Sequence, residues 1–395
     1  MRTSVSLCLV VTCIQLTNYV STVKLSEDAN LNTTGLATKY GHPATHYDVV
    51  TEDGYILTLY RLHGRSGIPV LLTHGLFDSS DTWMIRGNTS LAITLANNGF
   101  DVWLANSRGN RYSRRHKTLN PDTDPAFWQF SFHEMGYFDL PAIIDTVLDK
   151  TGANSLNAIG HSQGNTMFFV LGSEREEYNS KINVMIALAP VAYLHHSPPP
   201  VSFFMQISPT INSLAKLLDI HELLGDNTPE GRLVHSFCPA SKVGHKICLY
   251  GIVFPMMGFD AAELELDFFA TASVHFPAGS SMKCILHYLQ VGHRKIFAKY
   301  DYGTKLNRKI YNSTNPPAYR LERVTMPIAL MAGRNDRFSS LHDVAVLRRQ
   351  LPNVVYYLEN PRTLMNHADY MLGKNLHVYL TPYVLRVLRK RNNFD

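Results

Sequence analysis

Gly160-His161-Ser162-Gln163-Gly164 sets one hydroxyl between two glycines, after the apolar run Ser155–Ile159 and before the helix-compatible stretch Thr166–Leu171. A serine on a tight strand-to-helix turn presents its Oγ at the sheet edge, and glycines on both sides let neighbouring backbone approach without a Cβ clash. The competing reading is a plain glycine-rich turn, which the strand before and the helix after disfavour. A serine hydroxyl is a weak nucleophile near neutral pH. It needs an imidazole base, and the imidazole needs a carboxylate that fixes its tautomer and stabilises its protonated form. After such an elbow the acid comes first along the chain and the base second. Pro327–Ala332 reads as a strand ending in Gly333-Arg-Asn-Asp336, and Val354–Leu358 as a strand followed by a loop carrying Asn366-His367-Ala-Asp369. Asp336 and His367 are therefore the candidate acid and base. Asp369 is the weaker acid, since a position beside the histidine in sequence does not suit the trio.

Acyl transfer at that serine builds up an oxyanion, which backbone N–H groups can stabilise: one just after the nucleophile and one from a loop after an earlier strand. Gln163 fits the first place. Leu76 fits the second, in Thr73-His74-Gly75-Leu76 after the strand Ile68–Leu72. His74 precedes the serine, so its expected work is to orient this loop and not to act as base. Other chemistries lack their motifs. His221-Glu-Leu-Leu-Gly has no second zinc-binding histidine, no phosphate or dinucleotide loop occurs, and His195-His196 has no cysteine or carboxylate at metal spacing. Neither a metal nor a cofactor is expected.

Six short apolar runs position these groups: Ile68–Thr73, Asp101–Ala105, Ser155–Ile159, Ile182–Ala189, Pro327–Ala332 and Val354–Leu358. Leu140, Ile143, Ile144, Val147 and Leu148 recur at helical spacing, and Thr151-Gly152 closes that helix. Strands alternating with helices imply a mostly parallel sheet covered on both faces. Between Tyr193 and Arg323 the alternation stops. That stretch reads as a mainly helical insertion, 193–323, folded over the carboxyl edge of the sheet, where ligands bind in open α/β sheets. It divides the sheet domain into 23–192, which carries the nucleophile, and 324–395, which carries acid and base. Its apolar segment Ile247–Phe259 reads equally well as a lid or acyl-chain wall and as a buried core helix.

Arg2 and the apolar run Val5–Ile14 suggest a cleaved secretory leader, 1–22, with a signal anchor as the alternative. Cys8 and Cys13 would leave with it, so Cys238, Cys248 and Cys284 remain: one disulfide pair and one free thiol is the simplest arithmetic in an oxidising compartment. Asn32, Asn88 and Asn312 head N-glycosylation sequons. Losing Arg2 takes the formal charge from +5 to +4, with basic runs only at Arg114–Lys117 and Arg386–Arg391. Nucleic acid is a poor partner for such a surface, and no later apolar stretch is long enough for stable membrane insertion.

Further stretches resemble the acid lipase family of α/β-hydrolases, which includes gastric lipase, lysosomal acid lipase and many insect lipases. The likeness runs in order from about Lys39 to Gly373. It is carried by Gly41-His-Pro, Asp53-Gly-Tyr-Ile-Leu57, His74-Gly-Leu-Phe-Asp-Ser-Ser-Asp-Thr-Trp83, Asn106-Ser-Arg-Gly-Asn110, Phe127-Trp-Gln-Phe-Ser131, Glu134-Met, Asp139-Leu-Pro-Ala142 and Pro277-Ala-Gly-Ser-Ser281. The resemblance implies the α/β-hydrolase fold with a cap over a triad of Ser162, Asp336 and His367. It also implies oxyanion donors at Leu76 and Gln163, and a cap disulfide between Cys238 and Cys248. Three positions depart from the family: Asp336-Arg-Phe-Ser-Ser replaces its Asp-Trp-Leu-Ala-Asp, Ala368 replaces a bulky apolar residue, and Cys284 stands in place of Asn. They question substrate range more than catalysis. The implied activity is cleavage of triacylglycerols or sterol esters at a lipid–water interface, outside the cell or in lysosomes. A small-ester carboxylesterase, a non-catalytic lipid-binding protein and a serine peptidase are the rivals. The sequence identifies no protein partner.

Overall fold

The computed structural model describes residues 25–393. The expected leader, 1–22, with Cys8 and Cys13, lies outside the described residues. Eight strands form one sheet in the order β1-β2-β4-β3-β5-β6-β9-β10. They are β1 (Ala44–Val50), β2 (Ile56–Leu62), β3 (Pro69–Thr73), β4 (Asp101–Ala105), β5 (Leu156–His161), β6 (Ile182–Leu188), β9 (Ile328–Ala332) and β10 (Val354–Glu359). From β4 through β3, β5, β6 and β9 to β10 every pairing is parallel, and β1 and β2 add an antiparallel hairpin at one edge.

All six sequence-predicted strands are present with shifts of a residue or two at their ends. Apolar side chains on successive residues go to opposite faces, which fills two cores. Leu71, Trp103 and Ala158 face one side, together with Ile143, Ile144 and Val147 of the helix Leu140–Thr151. Val70, Leu72, Val102, Leu104 and Ile159 face the other, against Leu95 and Val384. Gly152 ends the helix in the left-handed region at φ 68°, as the sequence suggests. The hairpin β1–β2 is an addition to the sequence reading. Its edge strand is mostly half-buried or exposed and shows no apolar run, although Asp53-Gly54, with Gly54 at φ 97°, is a hairpin signal that could have revealed it.

Between β6 and β9 the chain builds helices and a two-residue ladder of β7 (Glu222–Leu223) with β8 (Ser280–Ser281). The segment Ile247–Phe259 is neither wholly buried nor wholly exposed. The helix Lys242–Cys248 runs through a π turn at Leu249–Val253 into Phe254–Met257. Leu249 and Phe254 are buried, whereas Ile252 is 56% and Phe259 53% exposed. A π turn adds one residue to a helical repeat and so shifts the phase of the faces. An all-apolar stretch thereby acquires a core side and a solvent side.

Candidate active site

Ser162 stands between the end of β5 and the helix Gln163–Glu174 with φ 51° and ψ −111°. This left-handed φ is unusual for a residue with a Cβ and marks strain held by its surroundings. Gly164 shows why the turn needs glycine: a Cβ there would lie 2.3 Å from the Thr73 carbonyl oxygen of β3. The turn lifts the Ser162 Oγ towards the loops that follow β9 and β10.

Those loops bring the other two predicted residues to it. The Ser162 hydroxyl donates to His367 Nε2 at 2.8 Å, and His367 Nδ1 lies 2.9 Å from both oxygens of Asp336. An N–H on Nδ1 leaves Nε2 as the acceptor, which is the tautomer a general base requires. Asp336 Oδ1 also accepts the backbone N–H groups of Phe338 (2.9 Å) and Ser339 (2.7 Å), so its carboxylate is held by its own loop as well as by the imidazole. Asp336 and His367 are both buried. Asp369 lies elsewhere: it accepts the Asn366 N–H, and burial keeps its carboxyl well above the usual range.

His161 packs against the His367 ring, with centroids 5.0 Å apart. Its Nε2 donates to the His367 carbonyl at 3.0 Å, and burial holds it well below the ordinary histidine pKa. Gln163 opens its helix, so its N–H has no carbonyl one turn earlier to bond. Leu76 is in the loop after β3. His74 orients that loop: Nδ1 donates to the Gly75 carbonyl at 2.8 Å, and Nε2 accepts the Ser107 N–H at 3.0 Å. Burial pushes His74 down to about 4 and the nearby Asp78 carboxyl up to about 7.

Cys238 and Cys248 are joined in a disulfide, and Cys284 is free and buried. The Cys284 thiol donates to the side-chain oxygen of Gln163 at 3.1 Å. Burial pushes this thiol up to about 12, so it is the S–H form that makes the bond. No sequence signal pointed to this contact, because the two residues are 121 positions apart. Asn32, Asn88 and Asn312 are all exposed.

Comparison with known proteins agrees with this architecture. Residues 68–218 match a model described as the alpha/beta hydrolase fold, and residues 33–87 match a partial alpha/beta-hydrolase lipase region. The chain is 38% identical to Lipase 1 of Drosophila melanogaster over 93% of its own length and 81% of that protein. It is 33% identical to the human lysosomal acid lipase/cholesteryl ester hydrolase, covering 92% of each chain. It is 35% identical to the mouse gastric triacylglycerol lipase over 87% of this chain and 88% of the other. By fold, by this likeness and by the order of its motifs, the chain belongs to the acid lipase family of α/β-hydrolases.

Proposed function

We propose that the protein is a serine hydrolase of neutral-lipid esters, triacylglycerols or sterol esters, working through an acyl-enzyme. The observation that carries this reading is the unbroken relay Asp336–His367–Ser162, with Ser162 held at a strained elbow. The Ser162 Oγ attacks the acyl carbonyl while His367 Nε2 takes its proton. Asp336 stabilises the imidazolium without taking the proton itself. The oxyanion falls to the N–H groups of Leu76 and Gln163, each such donor being worth about 10²–10³ in kcat. Collapse expels the alcohol, which receives the proton from His367. Water, activated by the same imidazole, then releases the fatty acid and restores Ser162.

Residues 193–323 serve as the cap over this site. Apolar side chains on its surface favour an insoluble substrate: Phe203, Leu214, Leu217 and Leu218 are 54%, 52%, 80% and 58% exposed, the kind of patch that meets a lipid surface. The two substrate classes are those in the names of the human and mouse relatives. The chain enters the secretory route through its leader, 1–22, carries glycans on Asn32, Asn88 and Asn312, and works outside the cell or in lysosomes. No helix among the described residues is long and apolar enough to cross a membrane.

The test is fatty-acid release from long-chain triacylglycerol and sterol-ester emulsions, beside a soluble butyrate ester, by wild-type protein and by Ser162→Ala. Release from either emulsion that vanishes in the variant supports the proposal. Turnover of the soluble ester alone replaces it with a small-ester carboxylesterase.

A further inference from the structure

The cap meets the catalytic loops along the short strap 255–259, and the bonds there are concentrated on the residues beside the acid and the base. Arg337 Nη1 donates to the Pro255 carbonyl at 2.9 Å. The backbone N–H of His367 donates to the Met257 carbonyl at 3.0 Å. Asn366 Nδ2 donates to the Gly258 carbonyl at 3.0 Å, and Asn335 Nδ2 donates to the Phe259 carbonyl at 2.9 Å. The donors thus flank Asp336 on both sides and include His367 and its predecessor. Asn335 Nδ2 also reaches the Leu364 carbonyl of the base loop, and Arg337 Nη1 reaches the Pro199 carbonyl of the cap. Gly258 allows the close approach: it sits at φ +109°, and a Cβ there would be 2.1 Å from the Asn335 carbonyl oxygen.

Asp336 and His367 belong to loops after different strands, so their 2.9 Å contact requires the two loops to keep a fixed separation. A side chain within hydrogen-bonding reach of a neighbour loses its catalytic geometry on a displacement of about 1 Å. We infer that the strap 255–259 is a fixed positioning element of the triad, with Asn335, Arg337 and Asn366 as positioning residues that bind acid and base loops to the cap. It cannot swing away as a lid without releasing the groups that set the triad. Any segment that opens for substrate lies outside the strap. The inference rests on Ser162, Asp336 and His367 being the catalytic trio.

The test compares the wild-type full chain with Asn335→Ala, Arg337→Ala and Arg337→Lys, and with Lys309→Ala on the exposed cap surface. Three quantities are read: the rate of covalent labelling by a small alkyl fluorophosphonate, kcat and KM on a soluble butyrate ester, and the melting temperature. Asn335 and Arg337 are only partly buried, so truncating them leaves folded protein to assay. The expected result is a labelling rate and kcat that fall together by about 10- to 100-fold in both alanine variants, with KM within about twofold. Arg337→Lys, which keeps a donor, recovers part of the loss, and Lys309→Ala changes neither rate. Wild-type labelling in folded Asn335→Ala and Arg337→Ala overturns the inference. So does a raised KM with unchanged labelling, which would make the strap an acyl wall. A wild-type chain that is not labelled, or a Ser162→Ala chain that is, would instead overturn the trio.

Discussion

His74→Gln should make the protein less stable at neutral pH and relatively more stable in acid. In the native state His74 Nε2 accepts the Ser107 N–H at 3.0 Å and lies 3.2 Å from Asn110 Nδ2, so its lone pair faces donors. A proton on that nitrogen would set donor against donor in a buried site, which agrees with the depression from 6.5 to about 4. The sign follows from linkage. The native state refuses a proton that the unfolded chain accepts below pH 6.5, so stability falls as pH drops through the window from 6.5 to 4 and levels off below it. Between pH 7.5 and pH 4.5 those two values give a loss of about 2.5 kcal/mol from this group alone. The glutamine variant keeps an acceptor for Ser107 and cannot titrate. It loses the bond to the Gly75 carbonyl, about 1 kcal/mol, and strains the site by a comparable amount. Its deficit of about 1–2 kcal/mol at pH 7.5 should therefore shrink to nothing or reverse at pH 4.5. Asp78, pushed up to about 7, favours acid and is common to both proteins, so it cancels in the difference. Urea unfolding at the two pH values measures this directly. An equal deficit at both would show that His74 titrates normally and does not sit in the oxyanion loop as a buried neutral acceptor.

Gly164→Ala puts a Cβ 2.3 Å from the Thr73 carbonyl oxygen. It should cost about 1–3 kcal/mol in urea unfolding and lower kcat, because the strain falls on the Gln163 N–H. Cys284→Ala removes the thiol donor to Gln163 and should lower kcat on a soluble ester, whereas Cys284→Ser, which keeps a hydroxyl donor, should retain most of it. Paired Cys238→Ser and Cys248→Ser substitutions open a loop of sequence separation 10 and should destabilise the cap by about 3 kcal/mol, read as a lower melting temperature. Asp336→Asn should drop kcat by about 10⁴ with little change in KM, because the amide donates to Nδ1 and forces the wrong tautomer.

The trio was legible because each member sits on a loop announced by an apolar run, and the elbow adds a glycine pattern imposed by backbone contact. The hairpin β1–β2 was less legible. The edge strand β1 buries only Val49 among its seven residues, so it has neither a continuous run nor a clean alternation. The strap was invisible for a different reason. Its groups are backbone carbonyls, which every residue supplies, and the only trace in sequence is Gly258, one of 24 glycines. The even choice left open for Ile247–Phe259, lid or buried core, had no single answer, since the π turn at Leu249–Val253 divides it between a core face and an exposed face.

The same contrast explains why reaction type can be read from this chain more readily than substrate. A nucleophile, a base and an acid are single atoms fixed by local motifs. An acyl chain is recognised by the sum of many apolar contacts. Beside the base, Phe338 packs 5.0 Å from the His367 ring and joins Val191, Leu194, Met205 and Met256 in one apolar cluster. These residues come from the loop after β6, a cap helix, the strap and the acid loop, and none of them announces the others in sequence. Asp336 is held by directed hydrogen bonds with His367, Phe338 and Ser339, whereas the Phe338 ring meets His367 by packing alone.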